Sequence, residues 1–262
     1  MSSRITSPSR RVAAIGAVFA LIVALVATGI AVGENINDDG GSDSAASSDA
    51  SAGTGAGQQG DAAAADPEQQ KMYDQFDKAT ARREDGDALA LGKKDAPVVL
   101  VEYADYQCSY CGRFTRETQP ELVKKYVDDG TLRIEFRNFP IFGKDSERAA
   151  RASWAAGRQG KFWAFHDELY AKLRKGDALA EDKLVDLARK SGVGDADRFR
   201  EDLKGSAAAA AVKKDQNEAY SLGVQSTPSF VVGGRPIAGA QPMSAFEEAI
   251  TAARDHAKAA AK

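Results

Sequence analysis

The stretch from Val98 to Gly112 restricts the fold of this 262-residue chain more than any other part of the sequence. It begins with an apolar, mostly β-branched run of strand type directly after Pro97. A short turn follows, and then Cys108 and Cys111 stand three positions apart at the start of a helical pattern. Residues i and i+3 of a helix share a face, so the two sulfurs can reach each other and form a disulfide.

Three kinds of chemistry are open to these two cysteines, which are the only ones in the chain. A Cys-x-x-Cys motif between a strand and a helix is typical of dithiol–disulfide exchange, because a helix N-terminus favours thiolate. An inert disulfide closing so short a loop would add little stability. A structural zinc needs about four ligands, and His166 and His256 lie far apart in sequence. The pattern therefore favours a redox-active pair, with no metal and no cofactor.

The N-terminal third of the chain has the composition of a membrane anchor. Residues 1–11 are polar and contain three arginines, and residues 12–32 form an uninterrupted apolar run without a charge. A run of this length spans a bilayer as a helix. A cleavable signal peptide normally has a shorter apolar core, and the small-residue match near Ala27 is loose. We therefore expect a retained single-pass anchor, with cleavage as the alternative.

Charge around the apolar run predicts its orientation. Arginines precede it, and no Lys or Arg follows until Lys71, so the N-terminus is expected in the cytoplasm and the catalytic domain outside, where disulfides persist. Residues 33–66 contain almost no large apolar side chain and are expected to be a flexible linker. Residues 67–262 remain as one domain. A net charge of −3 without a basic stripe argues against nucleic acid as a partner.

Along the domain, the spacing of apolar residues alternates between the pattern typical of strands and the pattern typical of helices. The strand before the cysteines, the helix after them and a second strand at Leu132–Arg137 form a βαβ unit, with the cysteines at the carboxyl end of the first strand. Pro120 inside the helical pattern predicts a kink. Residues 146–222 are helical in pattern almost throughout, which indicates an all-helical insertion. A strand, a Gly-Gly turn and another strand follow over residues 226–237, before an amphipathic C-terminal helix.

Four short motifs, taken in their order along the chain, resemble the disulfide-oxidoreductase A (DsbA) family, the helix-inserted branch of the thioredoxin superfamily. They are Cys108-Ser109-Tyr110-Cys111, Arg137-Asn138-Phe139-Pro140, Gln159-Gly160-Lys161-Phe162-Trp163 and Thr227-Pro228-Ser229-Phe230. The resemblance covers roughly residues 91–260. It implies an α/β thioredoxin fold with a four- or five-stranded mixed sheet, the helical insertion capping the active-site side, and thiol:disulfide oxidoreductase activity.

The resemblance also implies roles for individual residues. Cys108 is expected to be the exposed attacking thiolate and Cys111 the buried resolving thiol of a Cys108–Cys111 disulfide, with exchange passing through a mixed disulfide. Pro228 is expected to be a cis proline facing the cysteines, so that the Thr227 backbone is presented to an extended substrate. Glu102 matches the family's buried acid, which assists proton transfer at the inner cysteine; the alternative is an ordinary exposed strand residue.

Two departures from the family pattern bear on the direction of electron flow. Ser109 and Tyr110 stand between the cysteines where the strongest oxidants have a histidine, which removes one stabiliser of the thiolate. Thr227 is shared with isomerase-like relatives. His166 is interpreted as an ordinary helix residue.

We expect a monomeric oxidant of reduced secreted or cell-envelope proteins, recycled by a membrane quinone-linked thiol oxidase. The alternatives are a reductase or isomerase of the same fold, and a tethered chaperone-like binding module that uses the groove beside Pro228.

Overall fold

A five-stranded mixed sheet forms the centre of the fold. The computed structural model describes residues 65–262, and its strand order is β1-β3-β2-β4-β5. The two central strands, β2 and β3, are parallel, and the other neighbours are antiparallel. The strands are β1 (Ala90–Leu91), β2 (Val98–Ala104), β3 (Leu132–Asn138), β4 (Ser229–Val232) and β5 (Arg235–Ala238). This arrangement confirms the predicted thioredoxin-type α/β fold.

Helix α1 (Pro67–Thr80) opens the described part of the chain. Its N-cap is Asp66, whose carboxylate accepts the N–H groups of Glu68 and Gln69, the usual way in which the first orphan donors of a helix are satisfied. The other helical elements are α2 (Ser109–Arg113), α3 (Gln119–Leu122), α4 (Lys144–Gly157), α5 (Phe162–Tyr170), α6 (Glu181–Lys190), α7 (Ala196–Lys204), α8 (Ser206–Ser221) and α9 (Met243–Ala260), with a 3₁₀ turn at Gly176–Leu179.

The helix that follows the cysteines is irregular in a way the sequence did not predict. Instead of one kink at Pro120, π-helical turns at Phe114–Thr118 and Val123–Val127 lie on either side of α3. Pro120 has no N–H to donate to a carbonyl one α-turn earlier. The N–H of Gln119, just before it, bonds instead to the carbonyl of Phe114, the wider spacing of a π turn.

Helices α4 to α8 lie between β3 and β4 and form the predicted all-helical insertion. Apolar side chains of α4 to α7 share one core cluster with the end of β2 and both cysteines, whereas Ala219 of α8 packs in a separate cluster with β2 and β4. Phe162, Phe165 and Phe199 of the insertion are at most 1% exposed. The insertion therefore covers the cysteine end of the sheet and removes it from water, which contributes favourable free energy through apolar burial.

A second apolar cluster joins the sheet to the helix after the cysteines and to the C-terminal helix. Phe114, Phe230 and Phe246 form mutual ring contacts, with centroids 4.5–5.3 Å apart. These tilted and edge-on geometries are favourable for aromatic rings. The contacts hold the cysteine-bearing helix against β4, whose first residue follows Pro228.

Charged side chains form a buried ionic network away from the cysteines. Glu135 bonds Arg133 at 2.8 Å and Arg137 at 2.7 Å, and Arg137 also reaches Glu218 of α8 at 3.1 Å. Arg82 pairs with Asp215 and Glu218. Burial would raise the pKa of Glu135, but Arg137 and Arg133 lower it to about 2. The network therefore ties β3, the insertion and the segment after α1 together.

No helix within residues 65–262 is long and apolar enough to cross a membrane. The anchor expected at residues 12–32 and almost all of the linker expected at residues 33–66 lie outside the described residues.

Candidate active site

Strand β2 leads the chain to the two cysteines at its carboxyl end. Cys108 is the N-cap of α2, and its sulfur lies 3.4 Å from the backbone nitrogen of Cys111, whose N–H it accepts. Both residues are free thiols in this structure. A cysteine in this position faces unpaired N–H groups and the positive end of the helix dipole, which favour thiolate.

The two thiols differ in acidity. A hydrogen bond from the Cys111 thiol lowers the pKa of Cys108 to about 6, against burial, which raises it. The nearby Thr227 side chain and the N–H groups of Cys111 and Tyr110 contribute to this lowering of the pKa. Burial raises the pKa of Cys111 well above its ordinary value, and the neighbouring Cys108 and Glu102 raise it as well. One sulfur is therefore a thiolate at neutral pH and the other a thiol.

The turn before β4 lies directly against Cys108. Because Ser229 pairs with Tyr103 of β2, the turn is brought to the cysteine end of the sheet. The Thr227–Pro228 peptide bond is cis, as the resemblance implied. The Cys108 sulfur lies 3.2 Å from the Thr227 carbonyl oxygen, to which it donates when it is protonated. The expectation that Cys108 is exposed was wrong: with this turn against it, its side chain is 5% exposed.

Glu102 is fully buried in the middle of β2, which excludes the alternative of an exposed strand residue. Its neighbours in register are Phe136 on β3 and Phe230 on β4. Neither carboxylate oxygen has a hydrogen-bond partner within residues 65–262. Burial raises the pKa of Glu102 to about 8, and the charge of Cys108 raises it too. A carboxyl group with this pKa can both give and take a proton near neutral pH.

The residues between the cysteines face outward. Ser109 and Tyr110 are exposed, and the Tyr110 side chain keeps 62% of its surface open to solvent. Tyr110 is therefore placed to touch whatever approaches Cys108. In the described part of the chain, no cluster of three or more His, Cys, Asp or Glu side chains could hold a metal ion.

Sequence reasoning missed Asp105, which organises the loops around the site. Its carboxylate accepts the Gln107 N–H at 2.7 Å, the Ser146 hydroxyl at 2.6 Å and the N–H groups of Ile141 and Phe142. An Asp that bonds the N–H two residues later is a common turn device, so the local sequence contained that part of the signal. The bonds to residues far along the chain could be found only in the structure.

Three further buried residues lie near Cys111, namely Tyr106, His166 and Tyr170. The sequence indicated His166 only as an ordinary helix residue and did not single out the two tyrosines. They are at most 2% exposed and lie in the same core cluster as the two cysteines. His166 sits in a helix rich in aromatic residues, a pattern that indicates core and gives no sign of a polar group facing the site.

The fold and the cysteine pair together define a class of protein, the thioredoxin-fold dithiol proteins. A family described as thioredoxin matches residues 84–252. The probable disulfide bond formation protein D of Bacillus cereus is 37% identical over 150 residues, which are 55% of this chain and 69% of the relative.

Solved structures agree with this assignment. The crystal structure of oxidised BdbD from Bacillus subtilis is 29% identical, with a TM-score of 0.58, and the match covers 66% of this chain and 94% of that one. Wolbachia pipientis alpha-DsbA1, at 22% identity and a TM-score of 0.60 over 66% of this chain and 94% of that one, shares the fold.

The chain belongs to the thioredoxin superfamily as a DsbA-like member, and it is an extracytoplasmic thiol:disulfide oxidoreductase. Its substrates are proteins that contain cysteines, and a redox partner restores the Cys108–Cys111 pair between reactions.

Proposed function

We propose that Cys108 is the attacking and attacked sulfur, that Cys111 resolves the mixed disulfide, and that the net reaction oxidises cysteines of secreted or cell-envelope proteins. The observation that carries the proposal is the split in acidity, with a pKa of about 6 for Cys108 and a raised pKa for Cys111. The thiolate is the nucleophile and the better leaving group in thiol–disulfide exchange, so this split fixes the order of events.

Oxidation of a substrate begins from the Cys108–Cys111 disulfide. A substrate thiolate attacks the Cys108 sulfur, the bond between the two cysteines breaks, and Cys111 leaves with the electron pair and takes a proton from the Glu102 carboxyl group. A second substrate thiolate then attacks the substrate sulfur of the mixed disulfide and releases the Cys108 thiolate. The substrate gains a disulfide, and the protein is left reduced.

The surface around Cys108 supports a substrate site beside Thr227 and Pro228. The Thr227 carbonyl lies against the Cys108 sulfur, and Ser109 and Tyr110 are exposed on the other side. An extended chain can pair with the half-buried backbone at Thr227, which gives affinity with little sequence preference. Tyr110 adds an aromatic contact.

The lowered pKa of Cys108 also supports net oxidation of substrates as the direction of electron flow. Stabilising the thiolate stabilises the reduced form, and a dithiol protein with a stabilised reduced form is a stronger oxidant. Its relative in Bacillus cereus is named for disulfide bond formation. Reoxidation then needs a partner that accepts electrons, for which we propose a membrane quinone-linked thiol oxidase acting on a monomer of this chain.

The redox state of Cys108 and Cys111 in cells tests whether the protein oxidises or reduces its substrates. Cultures expressing the full chain are quenched with acid and alkylated, and the modified cysteines are counted by mass. A sample reduced with dithiothreitol marks the doubly labelled reduced form, and the Cys108→Ser and Cys111→Ser variants mark a single label. A predominantly oxidised pair is expected. A predominantly reduced pair with a potential near about −270 mV, the range of thioredoxin, would reassign the protein as a reductase.

We also propose that residues 12–32 are retained as a single-pass anchor, that residues 1–11 are cytoplasmic, and that residues 33–66 tether the domain of residues 67–262. The uncharged apolar run and the arginines before it support this topology. The protein is expected in the membrane fraction after high-salt and carbonate washes. A mature N-terminus between Ala27 and Asn35, found by mass spectrometry, would contradict retention.

A further inference from the structure

A group of buried polar side chains lies next to Cys111, and the steps above use only one of its members. The group consists of Glu102, Tyr106, His166 and Tyr170, each at most 2% exposed. The Glu102 carboxylate oxygens, the Tyr170 hydroxyl and His166 Nε2 have no hydrogen-bond partner within residues 65–262. The Tyr106 hydroxyl approaches only Ser153, without regular hydrogen-bond geometry. Buried polar atoms are rarely unpaired, and polar sites of this kind commonly hold internal water.

Contacts between rings place these side chains together. The ring centroids of Tyr106 and Tyr170 are 4.8 Å apart, and those of Tyr170 and His166 are 5.0 Å apart. Phe136, the register neighbour of Glu102 on β3, lies 5.2 Å from the His166 ring. Burial raises the pKa of Tyr170 well above its ordinary value, and the charges of Cys111 and Glu102 add to this, which agrees with close spacing.

His166 connects this buried group to the surface. Its Nδ1 lies 3.1 Å from a carboxylate oxygen of Asp167, whose side chain is 65% exposed. The titratable groups that face the His166 ring are Asp167, Tyr106 and Tyr170, and its other ring neighbours are Phe136, Phe162 and Trp163. Burial lowers the pKa of His166, so the ring is neutral. With Nδ1–H donating to Asp167, Nε2 is an acceptor that faces the buried group.

We propose that His166 relays the proton of Glu102 to Asp167 and so to solvent while Cys108 is held in a mixed disulfide. The proposal rests on the functions given above to Cys111 and Glu102. In the mixed disulfide, the substrate is attached at Cys108 and covers the surface around that sulfur. The side of α5 that carries Asp167 remains exposed to solvent. Glu102 has no exposed surface, so any proton that it exchanges with solvent between the two half-reactions needs an internal route, and this group supplies one.

The proton count closes at each step. Cys111 gives its proton to the Glu102 carboxylate and attacks the Cys108 sulfur, and the partner sulfur leaves as thiolate. The Glu102 proton moves through the tyrosine hydroxyls or internal water to Nε2, and the proton on Nδ1 passes to Asp167 and solvent. In the opposite half-reaction, in which Glu102 gives a proton to Cys111, the same transfers run backwards and restore the Nδ1–H form of His166. His166 acts through Glu102, so it is a positioning residue for proton transfer and not a catalytic residue.

A two-phase reaction separates the relay from the attack. The reduced full-length protein is mixed with a chromogenic aromatic disulfide that releases thionitrobenzoate. The first release reports attack by Cys108, and the second reports resolution by Cys111. Both rates are measured against pH in H₂O and D₂O for His166→Gln, His166→Phe and Asp167→Asn. His256→Gln is the matched control, since His256 is a partly exposed histidine that pairs with Asp74.

The relay predicts that both His166 variants slow the second phase about tenfold or more, in line with the usual worth of proton-transfer groups. It also predicts that their solvent isotope effect rises and that the first phase stays within about twofold. Asp167→Asn, an exposed change that leaves the core intact, should slow the second phase in the same direction.

An unchanged second phase in Asp167→Asn, or equal slowing of both phases in the His166 variants, would overturn the relay. A missing first phase in the unaltered protein would instead overturn the role of Cys108.

Discussion

The carbonyl oxygen of Thr227 lies 3.2 Å from the sulfur of Cys108. The same residue also lowers the pKa of Cys108 through its side chain. With Cys108 as a thiol, the Thr227 hydroxyl has no hydrogen-bond partner within residues 65–262. It is therefore free to donate to the thiolate, whereas the Thr227 carbonyl accepts from the thiol. Which group the sulfur uses depends on its protonation state.

Thr227→Val removes the hydroxyl and keeps the carbonyl and the branched shape. We expect the pKa of Cys108 to rise by about one unit, since a hydrogen bond to a charged group contributes about 1.5–3 kcal/mol and only part of it is lost. Thiolate absorbance followed against pH measures the change. Thr227→Ser, which keeps the hydroxyl, is the control and should titrate like the unaltered protein. An unchanged titration in the valine variant would show that the hydroxyl does not reach the thiolate.

Alkylation should distinguish the two cysteines. At about pH 6.5, iodoacetamide should modify Cys108 and spare Cys111, because the pKa of about 6 leaves Cys108 mostly ionised while the raised pKa keeps Cys111 protonated. Peptide mass spectrometry identifies the labelled residue. Cys111→Ala should accumulate mixed disulfides through Cys108. Preferential labelling of Cys111 would reverse the two roles.

Glu102→Gln should make the stability of the domain less dependent on pH. The pKa of Glu102 is raised from 4.5 to about 8 by folding, so the folded state binds a proton that the unfolded state releases. This destabilises the protein progressively as pH rises from about 4.5 to about 8. The variant should exceed the unaltered protein by about 3 kcal/mol at pH 7 and match it near pH 4.

Urea unfolding of the oxidised form measures this difference, because the disulfide removes the two thiol titrations. A stability difference that is constant from about pH 4 to pH 8 would mean that Glu102 has an ordinary pKa, since only a shifted group makes stability vary with pH.

Arg137→Met should destabilise the fold and leave the site intact. The guanidinium bonds Glu135, Glu218 and the Thr80 carbonyl. Its removal leaves the buried Glu135 with Arg133 as its remaining ion pair and Glu218 with Arg82, at a cost of about 3 kcal/mol, the lower end of the range for a broken buried pair. Denaturant unfolding measures the loss. Arg113→Met is the matched control, since its pair with Glu117 is exposed. The pKa of Cys108 should be unchanged in both variants.

Local pattern was enough to predict the βαβ unit, the Gly-Gly hairpin and the extent of the helical insertion, because each depends on residues close in sequence. Cys108 and Cys111 were found for the same reason. The burial of Glu102 depends on tertiary structure, since Phe136 and Phe230 flank it from two other strands. The sequence could suggest that burial only through a family resemblance.

Contacts between distant segments account for what the sequence could not predict. The 5% exposure of Cys108 depends on a turn more than a hundred residues later in the chain. The π turns around Pro120 depend on how a helix compensates for a missing donor, which composition does not encode. The contact of His166 with Tyr106, which lies far earlier in the chain, requires α5 to pack under the active site, and this packing depends on the whole insertion.

The outer strands of the sheet have a consequence for a protein that handles unfolded chains. Strand β1 is two residues long, and its Ala90 carbonyl already accepts the Trp163 indole N–H at 3.0 Å. Strand β5 contains Pro236, which has no N–H to offer. Exposed edges invite aggregation by strand addition, and short, proline-bearing or occupied edges resist it. These two edges therefore limit strand addition by the reduced, unfolded polypeptides that we propose as substrates.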